Sequence, residues 1–145
     1  MIDPKSIFVD TSAWIEHILK KELHHKEVYN YLVKEVREGS KFYTSDYILD
    51  ETYTRLLTNQ SIKDAKNFKE HIKIAQEQNN LTLLFTNQVT FYKAWEYFEK
   101  FSEHKLSFTD ATIITFVKDL KINEVLTLDQ GFKNIGLTVK PDLNL

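Results

Sequence analysis

The sequence predicts a single α/β domain, with a central, mostly parallel β-sheet flanked by α-helices. Three observations carry this. Short apolar, β-favouring runs recur along the chain, among them IFV at 7–9, LTLLFT at 81–86 and EVLTL at 124–128. Between them lie longer stretches with apolar residues at helical spacing, the alternation that builds a parallel sheet covered on both faces. No repeat, low-complexity tract or linker interrupts the 145 residues, so one domain spans 1–145 with its core at about 6–140.

The elements follow in order. Ser6 to Val9 reads as the first strand, and Thr11 or Ser12 is placed to cap a helix through Leu19. From Lys26, the residues Val28, Tyr31, Leu32 and Val36 recur at helical spacing up to a stop at Gly39. Lys41 to Thr44 reads as a strand. Ser45 caps a helix carrying Ile48, Leu49, Tyr53, Leu56 and Leu57, and Ser61 caps the next, with Ala65, Phe68, Ile72 and Ala75 on one stripe. Leu81 to Thr86 is a strand, and Phe91, Ala94, Trp95 and Phe98 mark a helix. Thr109 or Asp110 starts another, with Ile113, Ile114, Phe116 and Val117. Glu124 to Leu128 and Leu137 to Val139 read as the last strands, and PDLNL as a loose tail.

Composition narrows the chemistry. Hydrophobic residues are 42% and charged residues 28%, a soluble globular profile. A net charge of −2 gives no global basic field for nucleic acid, which leaves local basic patches open. The absence of cysteine removes disulfides, thiolate zinc sites and thiol catalysis, and suits a reducing, cytoplasmic setting. The start MIDPKSIFVD lacks the long apolar run of a signal peptide. No segment approaches the roughly 20 apolar residues of a membrane span. With 3 Gly, a Gly-rich phosphate loop is not available.

Four acids stand out: Asp10 and Asp129 at strand ends, Glu51 in SDYILDETYTRLL and Asp110 in LSFTDATII. Ends of strands are where open α/β sheets place their sites. Four carboxylates in one cleft repel one another unless protonated or neutralised by a cation, and an all-oxygen donor set selects a hard ion such as Mg²⁺ or Mn²⁺. The usual task of such a site is phosphoryl chemistry on a nucleic acid. Each acid also has a plainer reading. Asp10, Asp110 and Asp129 suit helix caps, and Glu51 can pair with Arg55 at i,i+4.

These four stretches, IFVDTSAWI, SDYILDETYTRLL, LSFTDATII and LTLDQGF, occur in the order and spacing of the PIN domain family, and the chain resembles that family from about Ile7 to Val139. Within it, the chain is similar to the VapC-like toxins of toxin–antitoxin pairs. The resemblance implies that Asp10, Glu51, Asp110 and Asp129 hold Mg²⁺ or Mn²⁺, with Ser12, Thr11 and Thr127 as supporting polar residues. It implies an RNA phosphodiesterase in which metal-activated water attacks in line and leaves a 5′-phosphate. It also implies a cognate antitoxin and a homodimer, with the helices between Ser45 and Gln78 supplying those surfaces. Asp50 and Glu51 are neighbours about 100° apart on a helix, so one alone points squarely into a cleft; the family pattern selects Glu51.

Arg55, Lys105, Lys118 and Lys133 lie near the acidic elements in sequence and are candidate RNA-backbone contacts, or ordinary solvated surface. The five histidines are scattered, and the pair His24–His25 has no partner at metal-ligand spacing. Phe91, Trp95 and Phe98 fit a core or interface better than base stacking. Tyr47 and Tyr53, flanking Glu51, face either an RNA base or a partner helix. Two related readings stay open: an RNA-processing PIN nuclease with no antitoxin, and a catalytically silent RNA-binding module. A phosphatase would want Asp-x-Asp at the first strand, where Ser12 stands, and a receiver domain would want an acid pair there.

Overall fold

Ile7, Phe8 and Val9 are wholly buried, as a strand covered on both faces must be, and everything else is arranged around them. The computed structural model describes residues 3–143. Strands β1 (Ser6–Val9), β2 (Lys41–Ser45), β3 (Leu81–Leu84), β4 (Glu124–Leu126) and β5 (Val139–Lys140) form one sheet in the order β3-β2-β1-β4-β5. Every pairing is parallel, so the mostly parallel expectation resolves to wholly parallel among the described strands. The helices are α1 (Thr11–Ile18), α2 (His25–Arg37), α3 (Asp46–Asn59), α4 (Ile62–Glu77), α5 (Gln88–Lys100) and α6 (Phe108–Leu120), with short 3-10 turns at Ser102–His104 and Gln130–Ile135. The core joins the sheet to Trp14, Val28, Leu32, Ile48, Leu56, Phe68, Ile113 and Phe132.

Several element ends differ from expectation, and side-chain bonds explain them. Asp10, not Thr11 or Ser12, caps α1, through its carboxylate on the Thr11 N–H. Ser107, not Thr109 or Asp110, caps α6, and Asp110 completes a reciprocal capping box. The strand expected to reach Thr86 ends at Leu84, because the Thr86 N–H and hydroxyl both turn to Asp46. β4 ends at Leu126 rather than Leu128, and the Leu128 N–H goes to Ser12 instead. Gly39 follows α2 with φ +79, the left-handed turn that favours glycine. The expected tail is partly tied down, since Pro141 is buried; Asn144 and Leu145 lie outside the described residues.

At the N-terminal edge of the sheet, Glu35 is fully buried and takes the Lys5 ammonium at 2.9 Å and the Ser40 hydroxyl at 3.2 Å. Glu124 accepts from Tyr31 and lies 3.5 Å from the same lysine. This polar network is at the end opposite the four acids.

Candidate functional site

The parallel sheet carries β1 and β4 side by side, so the residues that follow them emerge together. Asp10 follows β1, and its N–H is still in the ladder, donating to the Leu126 carbonyl at 3.0 Å. Its side chain is buried. Oδ1 accepts the Thr11 N–H at 2.8 Å and Oδ2 accepts the Thr127 hydroxyl at 2.8 Å. Burial nonetheless pushes its pKa up to about 6; those two hydrogen bonds oppose the rise, and the charges of Asp110 and Glu51 add to it.

Asp110 sits in the first turn of α6, half-buried, accepting the Ser107 N–H at 3.0 Å while its own N–H donates to Ser107 Oγ at 3.0 Å. Burial raises its pKa as well, with Asp129 and Glu51 contributing repulsion. Asp129 is exposed just beyond β4, where its Oδ1 accepts the Gly131 N–H at 2.8 Å. Glu51, in the second turn of α3, lies 3.5 Å from Arg55. Of the neighbours Asp50 and Glu51, it is Glu51 whose charge raises the pKa of Asp10 and Asp110. Glu51 and Asp110 thus act on Asp10, and Glu51 and Asp129 on Asp110, from four separate elements. Three of the four acids are also hydrogen-bonded at helix or turn starts, so the capping reading and the site reading describe the same atoms.

The supporting hydroxyls form a chain. Thr127 Oγ1 gives its one proton to Asp10 and accepts the Asp129 N–H at 3.0 Å. With Asp10 ionised, the 3.1 Å contact between Ser12 Oγ and Thr127 Oγ1 therefore has Ser12 as donor. Ser12 also accepts the Leu128 N–H at 2.9 Å. Its proton is engaged within the protein, which makes Ser12 a positioning group here. Thr11 acts through its main-chain N–H; its hydroxyl is buried without a partner among the described residues.

A concavity of about 430 Å³ beside Glu51 is lined by Tyr47, Asp50, Thr54, Arg55 and Thr109. Tyr53 turns inward against Phe68, at 5.4 Å between ring centres. Lys133 is exposed in the turn after Asp129, and Lys105 is exposed in the segment leading to α6. Lys118 does not border this region: it lies in the last turn of α6 and lines a separate hollow with Glu124 and Asn123. Two scattered histidines meet elsewhere, His17 and His71, with Nε2 atoms 3.0 Å apart; burial, with the nearby His71 and His25 charges, lowers the His17 pKa to about 4.

Among the described residues, no three His, Cys, Asp or Glu side chains stand close enough together to hold a metal as they are. The donor chemistry still fits a hard divalent ion: all oxygen, mutually repelling, with unused lone pairs on the carboxylates. Glu51 is meanwhile engaged with Arg55 through one carboxylate oxygen, at 3.5 Å. Sequence reasoning did not find Ser107 or Gly131, whose N–H groups hold Asp110 and Asp129; the Ser107-x-x-Asp110 spacing was the signal for the first.

The family model described as PIN domain matches residues 7–137. The chain belongs to the PIN domain family. Solved structures agree with this PIN fold. VapC20 of Mycobacterium tuberculosis, described as a sarcin–ricin loop cleaving toxin, superposes with a TM-score of 0.79 at 23% identity, covering 93% of this chain and 99% of that one. VapBC2 of Rickettsia felis, bound to a DNA fragment from its promoter, gives 0.69 at 14%, covering 93% and 97%. FitAcB of Neisseria gonorrhoeae gives 0.66 at 17%, covering 96% and 99%. A sequence comparison with curated proteins returns no match. Among the described residues of this PIN domain, no helix is long and apolar enough to cross a membrane.

Proposed function

We propose that this PIN domain is a divalent-metal-dependent endoribonuclease, the cytoplasmic toxin half of a toxin–antitoxin pair. The observation that carries the reading is the emergence of Asp10 and Asp129 beyond the adjacent strands β1 and β4, with Asp10 buried on two hydrogen bonds and the charges of Glu51 and Asp110 acting on it. Asp10, Glu51, Asp110 and Asp129 would hold Mg²⁺ or Mn²⁺. Such an ion, when bound, lowers the pKa of its water and stabilises charge on phosphate.

The chain's own residues supply the rest. Thr127 and the Thr11 N–H fix the Asp10 carboxylate, Ser107 fixes Asp110 and Gly131 fixes Asp129. Arg55, Lys105 and Lys133 position the RNA backbone. The toxin assignment is supported by the family and by structural likeness to VapC20 and VapBC2. A homodimer belongs to the same reading.

The test is cleavage of a total RNA pool by the purified chain with Mg²⁺, Mn²⁺ or EDTA, beside Asp110→Asn. Metal-dependent cleavage that the variant loses supports the nuclease. Absent cleavage with saturable Mn²⁺ binding points to a narrower substrate. Absent cleavage and absent Mn²⁺ binding leave an RNA-binding module.

A further inference from the structure

Helix α3 has two faces. Ile48, Leu49, Thr52 and Leu56 enter the core. Tyr47, Asp50, Glu51, Thr54 and Arg55 recur at i, i+3, i+4, i+7 and i+8, the spacing of one helix face, and together line the concavity of about 430 Å³. Thr109 completes the lining from α6, immediately before Asp110. Glu51 and the Thr109–Asp110 pair therefore tie this hollow to the four acids, and whatever fills it lies next to the reacting phosphate.

The lining selects what can enter. Arg55 is its one cation and stands 3.5 Å from Glu51. The Asp50 carboxylate is exposed, with no ion-pair partner among the described residues. Two acids against one engaged cation repel phosphate and favour an uncharged group that donates N–H. Tyr53 packs on Phe68, so Tyr47, half-buried, is the aromatic face left to the hollow. Thr54 and Thr109 add hydroxyls, which donate or accept. A planar base with a donor edge answers each of these groups, and the volume lies in the range of small-ligand sites.

We infer that this hollow is a base-reading pocket for a guanine of single-stranded RNA, stacked on Tyr47 and donating its N1–H and N2–H groups to Asp50. The inference rests on the ribonuclease reading and deepens it by naming a specificity residue. Guanine follows from the carboxylate. Its two oxygens are acceptors side by side, and the Watson–Crick edge of guanine carries two adjacent donors. Adenine and cytosine set one amino donor beside a bare ring nitrogen, and uracil sets one N–H between two carbonyls. Each of these three turns an acceptor towards Asp50. Stacking on Tyr47 adds affinity for any base and discriminates little.

The experiment is fluorescence anisotropy of the full chain with end-labelled uridine pentanucleotides whose central base is guanine, adenine, cytosine or uracil. EDTA and low salt keep the RNA intact, and circular dichroism checks each variant. The guanine oligonucleotide should bind about tenfold more tightly than the uracil one, the scale of a bidentate base contact. Asp50→Ala should level all four. Asp50→Asn turns two acceptors into an acceptor and a donor, which match the N3–H and O4 of uracil, so it should close the gap between guanine and uracil. Tyr47→Leu keeps bulk without an aromatic face and should weaken all four by a similar factor, leaving their order unchanged. Equal affinities in the wild type overturn the proposal, as does no saturable binding of any of the four, or a guanine preference that survives Asp50→Ala. The nuclease reading fails separately. A guanine preference without Mn²⁺-dependent cleavage of the RNA pool keeps the pocket and removes the nuclease, whereas cleavage with equal affinities does the reverse.

Discussion

Thr127 donates its hydroxyl proton to Asp10 Oδ2 at 2.8 Å, a bond that joins residues 117 positions apart across the ends of β1 and β4. Both are buried, so the bond holds a carboxylate that burial alone would disfavour. Thr127→Val keeps the shape and removes the donor. It also leaves Ser12 and the Asp129 N–H without their acceptor. The expected cost to folding is about 1–3 kcal/mol, the price of unsatisfied buried polar groups. Cleavage should fall with it. Urea denaturation checks the first and RNA turnover at saturating Mn²⁺ the second; a fully stable, fully active variant would remove Thr127 from the site.

Asp10 makes the metal-free chain's stability depend on pH in a defined window. Its folded pKa of about 6 lies above the ordinary 3.8, so below about 6 the folded state binds a proton that the unfolded state does not. Stability from this group therefore rises as pH falls from about 6 to about 4, and is lost as pH rises through 6. The shift corresponds to something on the order of 3 kcal/mol. Asp10→Asn lacks this term, so subtracting its melting profile from the wild type isolates it. A flat difference between pH 4 and 6 would show that Asp10 titrates as an ordinary surface acid. Activity should move the opposite way, declining as Asp10 becomes protonated.

The sheet was legible because its cues are local: Ile7–Phe8–Val9 is a continuous apolar run closed by an acid, and the 3.6-residue period marks α3, α4 and α6. Caps were less so. Asp10, Thr11 and Ser12 are all good capping types in a row, and the choice depends on where the chain leaves the ladder. The four acids were legible as an ordered pattern, as was the Glu51–Arg55 pair. The hydroxyl chain from Ser12 through Thr127 to Asp10 was not, since it closes over more than 100 residues. Nor could periodicity tell which side of α5 is covered or that Lys118 points away from the acids. Those depend on tertiary neighbours.

Arg55 is the ion-pair partner of Glu51. Their contact is 3.5 Å and both side chains are at least a third exposed, so the pair contributes only a few tenths of a kcal/mol to folding. Arg55→Ala should leave the melting temperature nearly unchanged. Mn²⁺ should then bind more tightly, because Glu51 no longer has to leave a partner. RNA affinity should drop at low salt, as one backbone contact is lost. Calorimetric titration with Mn²⁺ decides it: unchanged or weaker binding would mean that Glu51 does not take part in holding the ion.

Gly131 and Gly136 separate site from scaffold. A Cβ on Gly131 would stand 3.0 Å from Asp129 Oδ1 and 3.8 Å from Leu106 Cδ2, while its backbone is in a region any residue adopts. Gly131→Ala therefore pushes the Asp129 carboxylate away from the N–H that orients it, at little cost to the chain. Outer-shell disturbance of this kind typically lowers metal affinity by about 10–100-fold. Gly136 is the reverse case: φ is +90 and an added Cβ meets nothing within 4 Å. Gly136→Ala should destabilise the fold by about 1 kcal/mol or more through backbone strain alone. Its Mn²⁺ affinity should match the wild type. Measuring melting and Mn²⁺ binding on both variants gives opposite patterns if Asp129 is a ligand. If Gly131→Ala binds Mn²⁺ as the wild type does, Asp129 stands outside the ion's reach.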